Sequence, residues 1–287
     1  DELDLSESGI GVTGATLLAF MLPAAMSVRS LDLERNYLGP EGGAALAEGL
    51  KGNSTLRVLD LYRNDIGPEG ASALAAVLKE TQITYLNLKG NRLGPEGGAA
   101  LAKGLKGNIT LQSLDLANNN LAGETGYVKK SKVQGSSFEV GAKVTYEGRE
   151  MTVSKAPDRD GDIKMIDLSG FMALAASLPE CGLTSLDLRY NNIGDKGVSA
   201  LAAILKKTQI SNLDLAANAL CGLNQFGEGT YTTEGITKLC EGLKGSAVTS
   251  LNLCWNNIGP EGASALAAVL KETQITNLNI GCNKIGD

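Results

Sequence analysis

The feature that most constrains the fold of this chain is a segment of 27 or 28 residues that recurs along nearly its whole length. Each copy contains a Leu-x-Leu pair, and the leading leucines are Leu3, Leu31, Leu59, Leu86, Leu114, Leu186, Leu213, Leu251 and Leu278. Two spacings, of 72 and 38 residues, are longer than the rest and contain 45 and 11 additional residues. One such unit cannot bury its apolar face alone, so the copies must stack into a solenoid.

Each copy combines a strand pattern with a helix pattern, as the segment from Leu59 to Tyr85 shows. Its first six positions, 59–64, alternate between apolar and polar residues, which is typical of a half-buried strand. A Gly-Pro-Glu-Gly turn after Ile66 then predicts the start of a helix, with Leu74 and Leu78 spaced to lie on one apolar face. In the first copy, the same pattern predicts a strand from Leu3 to Leu5.

The run Leu56-x-x-Leu59-x-Leu61-x-x-Asn64-x-Ile66 resembles the consensus of leucine-rich repeat proteins. The long helical half and the alternation of Gly-Pro-Glu-Gly-Gly with Gly-Pro-Glu-Gly-Ala helices resemble the ribonuclease-inhibitor-like class, including the Ran GTPase activator and NOD-like receptors. This resemblance implies an α/β horseshoe over residues 1–287, with a parallel β-sheet on the concave surface and helices on the convex surface.

Two insertions interrupt the repeats, and both lie between a strand and its helix. Residues 125–169 contain alternating runs separated by turns, one of them at Asp160-Gly161, and predict an inserted β-rich module, either an SH3-like barrel or a meander. Residues 221–231 are rich in glycine and predict a loop insertion. Because the strand at Leu186 alone separates the two, we expect both insertions on one rim, about 10 Å apart.

Composition excludes several classes of function. The net charge of −6, from 26 basic and 32 acidic residues, implies no general affinity for nucleic acid or anionic membranes. The chain has no histidine, which excludes Ser-His-Asp and Cys-His catalysis and histidine metal sites. No nucleotide-binding fingerprint is present, so no cofactor is expected and the sequence argues against an enzyme.

The cysteines and the most apolar segment bear on localisation. Five cysteines without a repeated spacing predict free thiols, and therefore an intracellular protein, cytoplasmic or organellar, in a reducing compartment. The apolar segment 15–26 is short, contains Pro23 and aligns with the repeat helices, so it is interpreted as a helix of the solenoid and not as a membrane span.

Two motifs resemble metal sites only partly. Asp158-x-Asp160-Gly161-Asp162 lacks the glycine and glutamate positions of a calcium loop, so a hairpin turn is favoured. Cys254 and Cys282 should approach each other diagonally on adjacent strands, but two thiols alone indicate no metal site.

Two polar columns run across the predicted sheet. An asparagine in each copy should form an internal ladder that satisfies buried backbone groups: Asn36, Asn64, Asn91, Asn119, Asn191, Asn218, Asn256 and Asn283. The centre of the concave surface carries Asp4, Asp32, Asp60, Asn87, Asp115, Asp187, Asp214, Asn252 and Asn279. This acidic column is either a solvated face neutralised by neighbouring arginines and lysines, or a site for a basic partner or a cation.

Large residues at variable concave positions are the candidate partner-binding residues. They are expected to be exposed, and they are Arg57, Tyr62, Arg63, Tyr85, Lys89, Arg189, Tyr190 and Trp255. Tyr, Trp and Arg dominate binding hot spots, although scattered surface aromatics remain the alternative.

The sequence therefore predicts a non-catalytic scaffold, adaptor or assembly subunit that binds another protein through the concave face and the rim bearing the insertions. The alternative is a GTPase-activating regulator similar to the Ran GTPase activator, with Arg63 or Asn118 acting at the rim.

Overall fold

The computed structural model describes residues 1–223 and 229–286. Across these residues, nine parallel strands form one sheet. They are β1 (Glu2–Asp4), β2 (Ser30–Asp32), β3 (Val58–Asp60), β4 (Tyr85–Asn87), β5 (Ser113–Asp115), β10 (Ser185–Asp187), β11 (Asn212–Asp214), β12 (Ser250–Asn252) and β13 (Asn277–Asn279), with β6–β9 in the insertion between β5 and β10. The predicted repeats are confirmed, because every leading leucine lies at the centre of a strand.

A helix follows each strand of the nine-stranded sheet except the last, and the helix after β5 comes only after the insertion. The helices are α1 (Gly11–Met21), α2 (Gly39–Leu50), α3 (Gly67–Val77), α4 (Gly94–Leu105), α5 (Ser169–Ser177), α6 (Gly194–Ala202), α7 (Glu234–Leu243) and α8 (Gly259–Val269). Short 3₁₀ turns continue the chain after several helices, at Leu22–Ala24, Leu78–Glu80, Leu178–Glu180, Leu205–Lys207 and Leu270–Glu272. Within the described ranges, no helix is long and apolar enough to cross a membrane.

The order of strands follows the chain, and the long insertion does not interrupt the sheet. Strand β5 pairs directly with β10, and Leu114 lies in register with Leu186 although 72 residues separate them. Strand β11 pairs with the other side of β10. The two insertions therefore leave the sheet from strands that have only β10 between them, as the sequence predicts.

The strands are shorter than the sequence predicts, and the first begins one residue earlier, at Glu2 instead of Leu3. Strand β3 ends at Asp60 and does not continue to position 64, because the Asp60 carboxylate accepts a hydrogen bond from the Tyr62 backbone N–H at 2.8 Å. Beyond it, Arg63 adopts a left-handed conformation with φ of 51°. The Asp60 side chain thus ends the strand, and the chain turns towards its helix.

The asparagine ladder is confirmed. Asn91 is fully buried; its Oδ1 accepts the backbone N–H groups of Asn64 at 3.0 Å and Ile66 at 3.2 Å. Its Nδ2 donates to the carbonyl oxygens of Leu61 at 2.8 Å and Leu88 at 3.0 Å. Each asparagine thereby joins its own strand-to-helix bend to that of the preceding repeat, and satisfies groups that would otherwise be buried unpaired.

Glycines in alternate helices allow close packing along the convex layer. A Cβ atom added at Gly104 would lie 2.5 Å from the carbonyl oxygen of Ala75 on the preceding helix. The same is true of Gly49 against Ala19, and of Gly242 against Ala202 at 2.4 Å. The alternation of helix types in the sequence therefore reflects a tight contact between neighbouring helices.

The first insertion forms a small closed sheet. Across residues 125–169, all of them described, the strands are β6 (Val128–Lys129), β7 (Lys143–Tyr146), β8 (Arg149–Lys155) and β9 (Asp162–Ile166), in the antiparallel order β6-β9-β8-β7. Gln134 and Thr145 exchange backbone hydrogen bonds of 2.9 and 2.7 Å, which join the segment after β6 to β7. Strands β7, β8 and β9 are neighbours in chain order, as in the predicted meander, and the Gln134–Thr145 bridge closes them with β6 into a ring, which is called the barrel below.

This barrel has its own core and lies against the solenoid. Val144, Val153, Ile163 and Met165 belong to an apolar cluster separate from the solenoid core.

The loop insertion predicted at 221–231 includes residues 224–228, which lie outside the described residues. Its two ends meet in a bridge between Leu223 and Gly229.

Candidate functional site

The loops at the strand ends hold most of the candidate residues. The residue before each ladder asparagine has a positive φ, for example 51° at Arg63, 56° at Tyr190 and 60° at Trp255. Bulky residues rarely adopt this conformation, which is stable here because the buried asparagine fixes the bend. Arg63, Tyr190 and Trp255 are exposed as predicted.

The other candidate residues are less accessible than the sequence predicts. Five of them have side chains that are partly buried instead of exposed: Arg57, Tyr62, Tyr85, Lys89 and Arg189. On a curved sheet with strands about 4.8 Å apart, the side chains of neighbouring repeats cover one another. From β3 to β12, the candidates also span five strand spacings, or about 24 Å. They therefore form separate groups and not a single patch.

The clearest group is the Tyr62 cluster, which we define as Arg35, Tyr62, Arg63 and Lys89. The cationic groups of Arg35, Arg63 and Lys89 lie 5.6, 5.2 and 5.1 Å from the centre of the Tyr62 ring. These distances allow cation–π attraction. Arg35 also pairs with Glu7, whereas Arg63 and Lys89 form no ion pair within the described part of the chain. The cluster joins three successive repeats into one aromatic and basic surface.

Arg57 and Tyr85 lie at the other ends of their strands and are not part of this cluster. The Arg57 guanidinium donates to the carbonyl oxygen of Ser54 at 3.1 Å, which holds it beside the start of β3. Tyr85 begins β4, and burial together with the nearby carboxylates of Asp60 and Asp115 raises the pKa of its phenol. Tyr85 thus lies near the acidic column.

Arg189 is occupied by the sheet itself. Its guanidinium donates to the Asp187 carboxylate at 2.8 Å and lies 3.3 Å from the Asp214 carboxylate. Because this charge is shared between two aspartates, Arg189 is less available to a partner than predicted. Tyr190 and Trp255 remain about half exposed, at 49% and 48%.

The acidic column has a structural role. In every described repeat, its side chain accepts the backbone N–H of the residue two positions later, as Asp115 does from Ala117 at 2.8 Å. The asparagines of the column do the same, as Asn87 does from the N–H of Lys89 at 2.9 Å. These bonds and the Arg189 pairs support the solvated, self-paired interpretation.

Asp115 is the most perturbed carboxyl of this column. Burial and the adjacent negative charge of Asp187 raise its pKa to about 6. Lys89 and Arg189 oppose this shift without cancelling it. The centre of the concave surface therefore changes its charge within a mildly acidic pH range.

A groove beside the Tyr62 cluster includes residues that the sequence analysis missed. It is lined by Arg35, Tyr37, Arg63, Asp65, Arg92 and Asn118, together with nearby backbone. Tyr37 is 76% exposed, and Arg92 pairs with Asp65 at 3.2 Å. Both follow a ladder asparagine directly, so a comparison of that position among the repeats would have found them.

The cysteines are free thiols. Cys181, Cys221 and Cys240 are buried, whereas Cys254 is half-buried and Cys282 exposed. The pKa of Cys254 is raised by burial and by the adjacent Cys282 thiol, in agreement with the predicted diagonal approach. In the described part of the chain, no group of three or more potential ligands could hold a metal ion.

Comparison with known families identifies the repeats. The leucine-rich repeat model matches residues 24–47, 52–75, 81–102, 107–124, 182–202 and 247–267. The chain is a leucine-rich repeat protein. The matched segments of this leucine-rich repeat protein lie on both sides of the barrel and none includes it. A comparison with curated proteins finds no match.

Proposed function

We propose that this leucine-rich repeat protein is a non-catalytic scaffold or adaptor of the ribonuclease-inhibitor-like class that binds another protein. Leucine-rich repeats typically serve as protein-interaction domains, and stacked repeats present an extended concave surface. The observation that carries the proposal is the Tyr62 cluster, where an aromatic ring and its surrounding cations lie on adjacent repeats.

The chemistry of the cluster indicates the kind of partner. Tyr and Arg side chains provide large contact areas with few degrees of freedom to lose. Arg63 and Lys89 have no ion-pair partner in the described ranges, so each can accept a carboxylate without breaking an existing pair. We therefore propose a protein partner that presents aspartate or glutamate beside an apolar group.

Affinity capture from the native source tests this proposal. We expect the parent chain to retain a partner, and Tyr62→Ala combined with Lys89→Ala to weaken its binding by about 2 kcal/mol or more, as for a hot spot. Lys79→Ala, an exposed lysine after α3, is the matched control and should bind like the parent. Equal retention by all three proteins would show that the cluster is not the binding surface.

The inserted barrel is the second proposed contact. We place the module at 125–169, within a solenoid over 1–287, with a loop insertion at 221–231 on the same rim. Capture with a variant lacking residues 126–168 tests the rim separately. Loss of a partner that survives the Tyr62 and Lys89 substitutions would assign recognition to the rim instead of the concave face.

A GTPase-activating function is the alternative, and one observation favours it. Arg63 and Asn118, the candidates for this role, line the groove beside the Tyr62 cluster together with Arg35 and Arg92. An arginine at such a groove can stabilise charge on a transferring phosphoryl group. GTP hydrolysis by a panel of GTPases, with the parent chain and with Arg63→Ala, tests this. No stimulation across the panel would exclude the alternative.

A further inference from the structure

A cavity of about 280 Å³ lies where the inserted barrel meets the rim of the solenoid. Its lining comes from β8 and β9 of the barrel, from the first turn of α6, and from both described ends of the loop insertion. Three separate parts of the chain therefore build it. Its size is near the lower limit of typical small-molecule sites, which start at about 300 Å³.

The polar part of the described lining contains lysines. Among the described residues, the charged part of the lining consists of three lysines and two carboxylates: Lys155, Lys164, Lys196, Glu124 and Asp195. Lys164 and Glu124 form only a long pair of 3.9 Å. Lys196 is exposed and pairs with no carboxylate within residues 1–223 and 229–286. An anion in the cavity would therefore meet at least one cation that has no other partner.

The start of α6 adds positive potential. The helix begins at Gly194, whose N–H donates to the Asn218 carbonyl oxygen at 2.9 Å; no side chain caps the N–H groups that follow, and Asp195 and Lys196 of this first turn line the cavity. The first N–H groups of a helix have no acceptor within the helix, and they carry partial positive charge. Such an N-terminus favours an anionic group placed beside it.

A hydroxyl beside the cavity also lacks a partner. Ser154 lines the cavity, and its Oγ is buried without a hydrogen bond. It lies where the pairing of β8 with β9 is irregular, between Val153 and Lys155. Bulges of this kind are enriched beside binding sites, and this one places an unpaired hydroxyl behind the cavity wall, where it meets no solvent.

The rest of the lining is apolar. Val140, Val153, Ile166 and Ala219 come from the barrel and from the loop after β11. We propose that this cavity binds a small molecule with an anionic head group, a carboxylate or a phosphate, on a short apolar body. The proposal is independent of protein binding at the concave face, because the cavity shares no residue with the Tyr62 cluster.

Titration of the full chain with three probes tests the site. Hexanoate and hexyl phosphate carry the two head groups, and hexanamide has the same body without a charge. We expect saturable binding of at least one anion, about tenfold tighter than hexanamide, because hydrogen bonds to charged groups are the stronger ones. Whichever anion binds more tightly identifies the head group. Heat of binding and NMR shifts of Lys196 and Thr152 report the interaction.

Variants connect the binding to this cavity. Lys196→Ala should weaken the anion about tenfold, Lys196→Arg should retain it, and Lys206→Ala, an exposed lysine outside the cavity, should leave it unchanged.

Three outcomes would overturn the proposal. One is the absence of saturable binding of either anion up to about 10 mM, which corresponds to a very weak complex. A second is equal affinity for hexanamide and the anions, which would show that the lysines play no part. The third is an affinity unaffected by Lys196→Ala, which would place the bound anion elsewhere.

Discussion

Replacement of Asn91 by alanine tests whether the asparagine ladder holds adjacent repeats together. The amide of Asn91 accepts two backbone N–H groups and donates to the Leu61 and Leu88 carbonyls, all in a fully buried setting. Alanine leaves these groups unpaired, and each buried unsatisfied group costs about 1–3 kcal/mol. Because the Leu88 carbonyl oxygen keeps its bond from Asn119 Nδ2 at 2.9 Å, we expect the free energy of unfolding to fall by about 3–5 kcal/mol.

Urea unfolding followed by circular dichroism measures this change. Gln82→Ala, which removes an amide from an exposed position, is the control and should change the free energy by no more than about 0.5 kcal/mol. The slope of the free energy of unfolding against urea concentration should be compared as well, because a change in this slope indicates partial unfolding of the repeat array. A loss below about 1 kcal/mol for Asn91→Ala would refute the assignment of stability to the ladder.

Three further predictions concern the concave charge, the helix contacts and the barrel. Asp115→Asn keeps the acceptor for the Ala117 N–H and removes a carboxyl whose pKa is raised to about 6 in the folded state. A carboxyl whose pKa is raised in the folded state lowers the stability of the parent as pH rises from about 4 to about 6. Over that range, urea unfolding should show the variant gaining about 1–2 kcal/mol relative to the parent, after allowance for solvent screening. A gain independent of pH would contradict this. Gly104→Ala should destabilise by about 1–3 kcal/mol because its Cβ would meet the Ala75 carbonyl, whereas Gly126→Ala, with open space around it, should be near neutral; a more stable Gly104→Ala would be contrary to the packing argument. Met165→Ala should destabilise the barrel by about 2–4 kcal/mol and speed hydrogen exchange of β8 without affecting β3, and faster exchange in β3 as well would show that the two cores unfold together.

The sequence by itself determined the repeat architecture. The Leu-x-Leu pairs, the ladder asparagines and the Gly-Pro-Glu-Gly turns recur in so many copies that only stacked strand–helix units satisfy them all. The order of strands across the long insertion also followed from the sequence, since a repeat interrupted at Leu121 and resumed at Phe171 must keep its place in the stack. These features are set by local patterns and by contact with the next repeat.

Only the tertiary structure decided how accessible each residue is and what it contacts. Arg189 is a concave residue by pattern, yet it is occupied by Asp187 and Asp214, because adjacent parallel strands bring the carboxylates to it. The Tyr62 cluster depends on side chains from neighbouring repeats that lie far apart in the chain. The cavity at Ser154 and Lys196 requires the barrel to rest on the rim at one orientation. Periodicity specifies which face a residue occupies, but burial, charge pairing and cavities depend on the distances between elements, which are fixed only when the whole chain is packed.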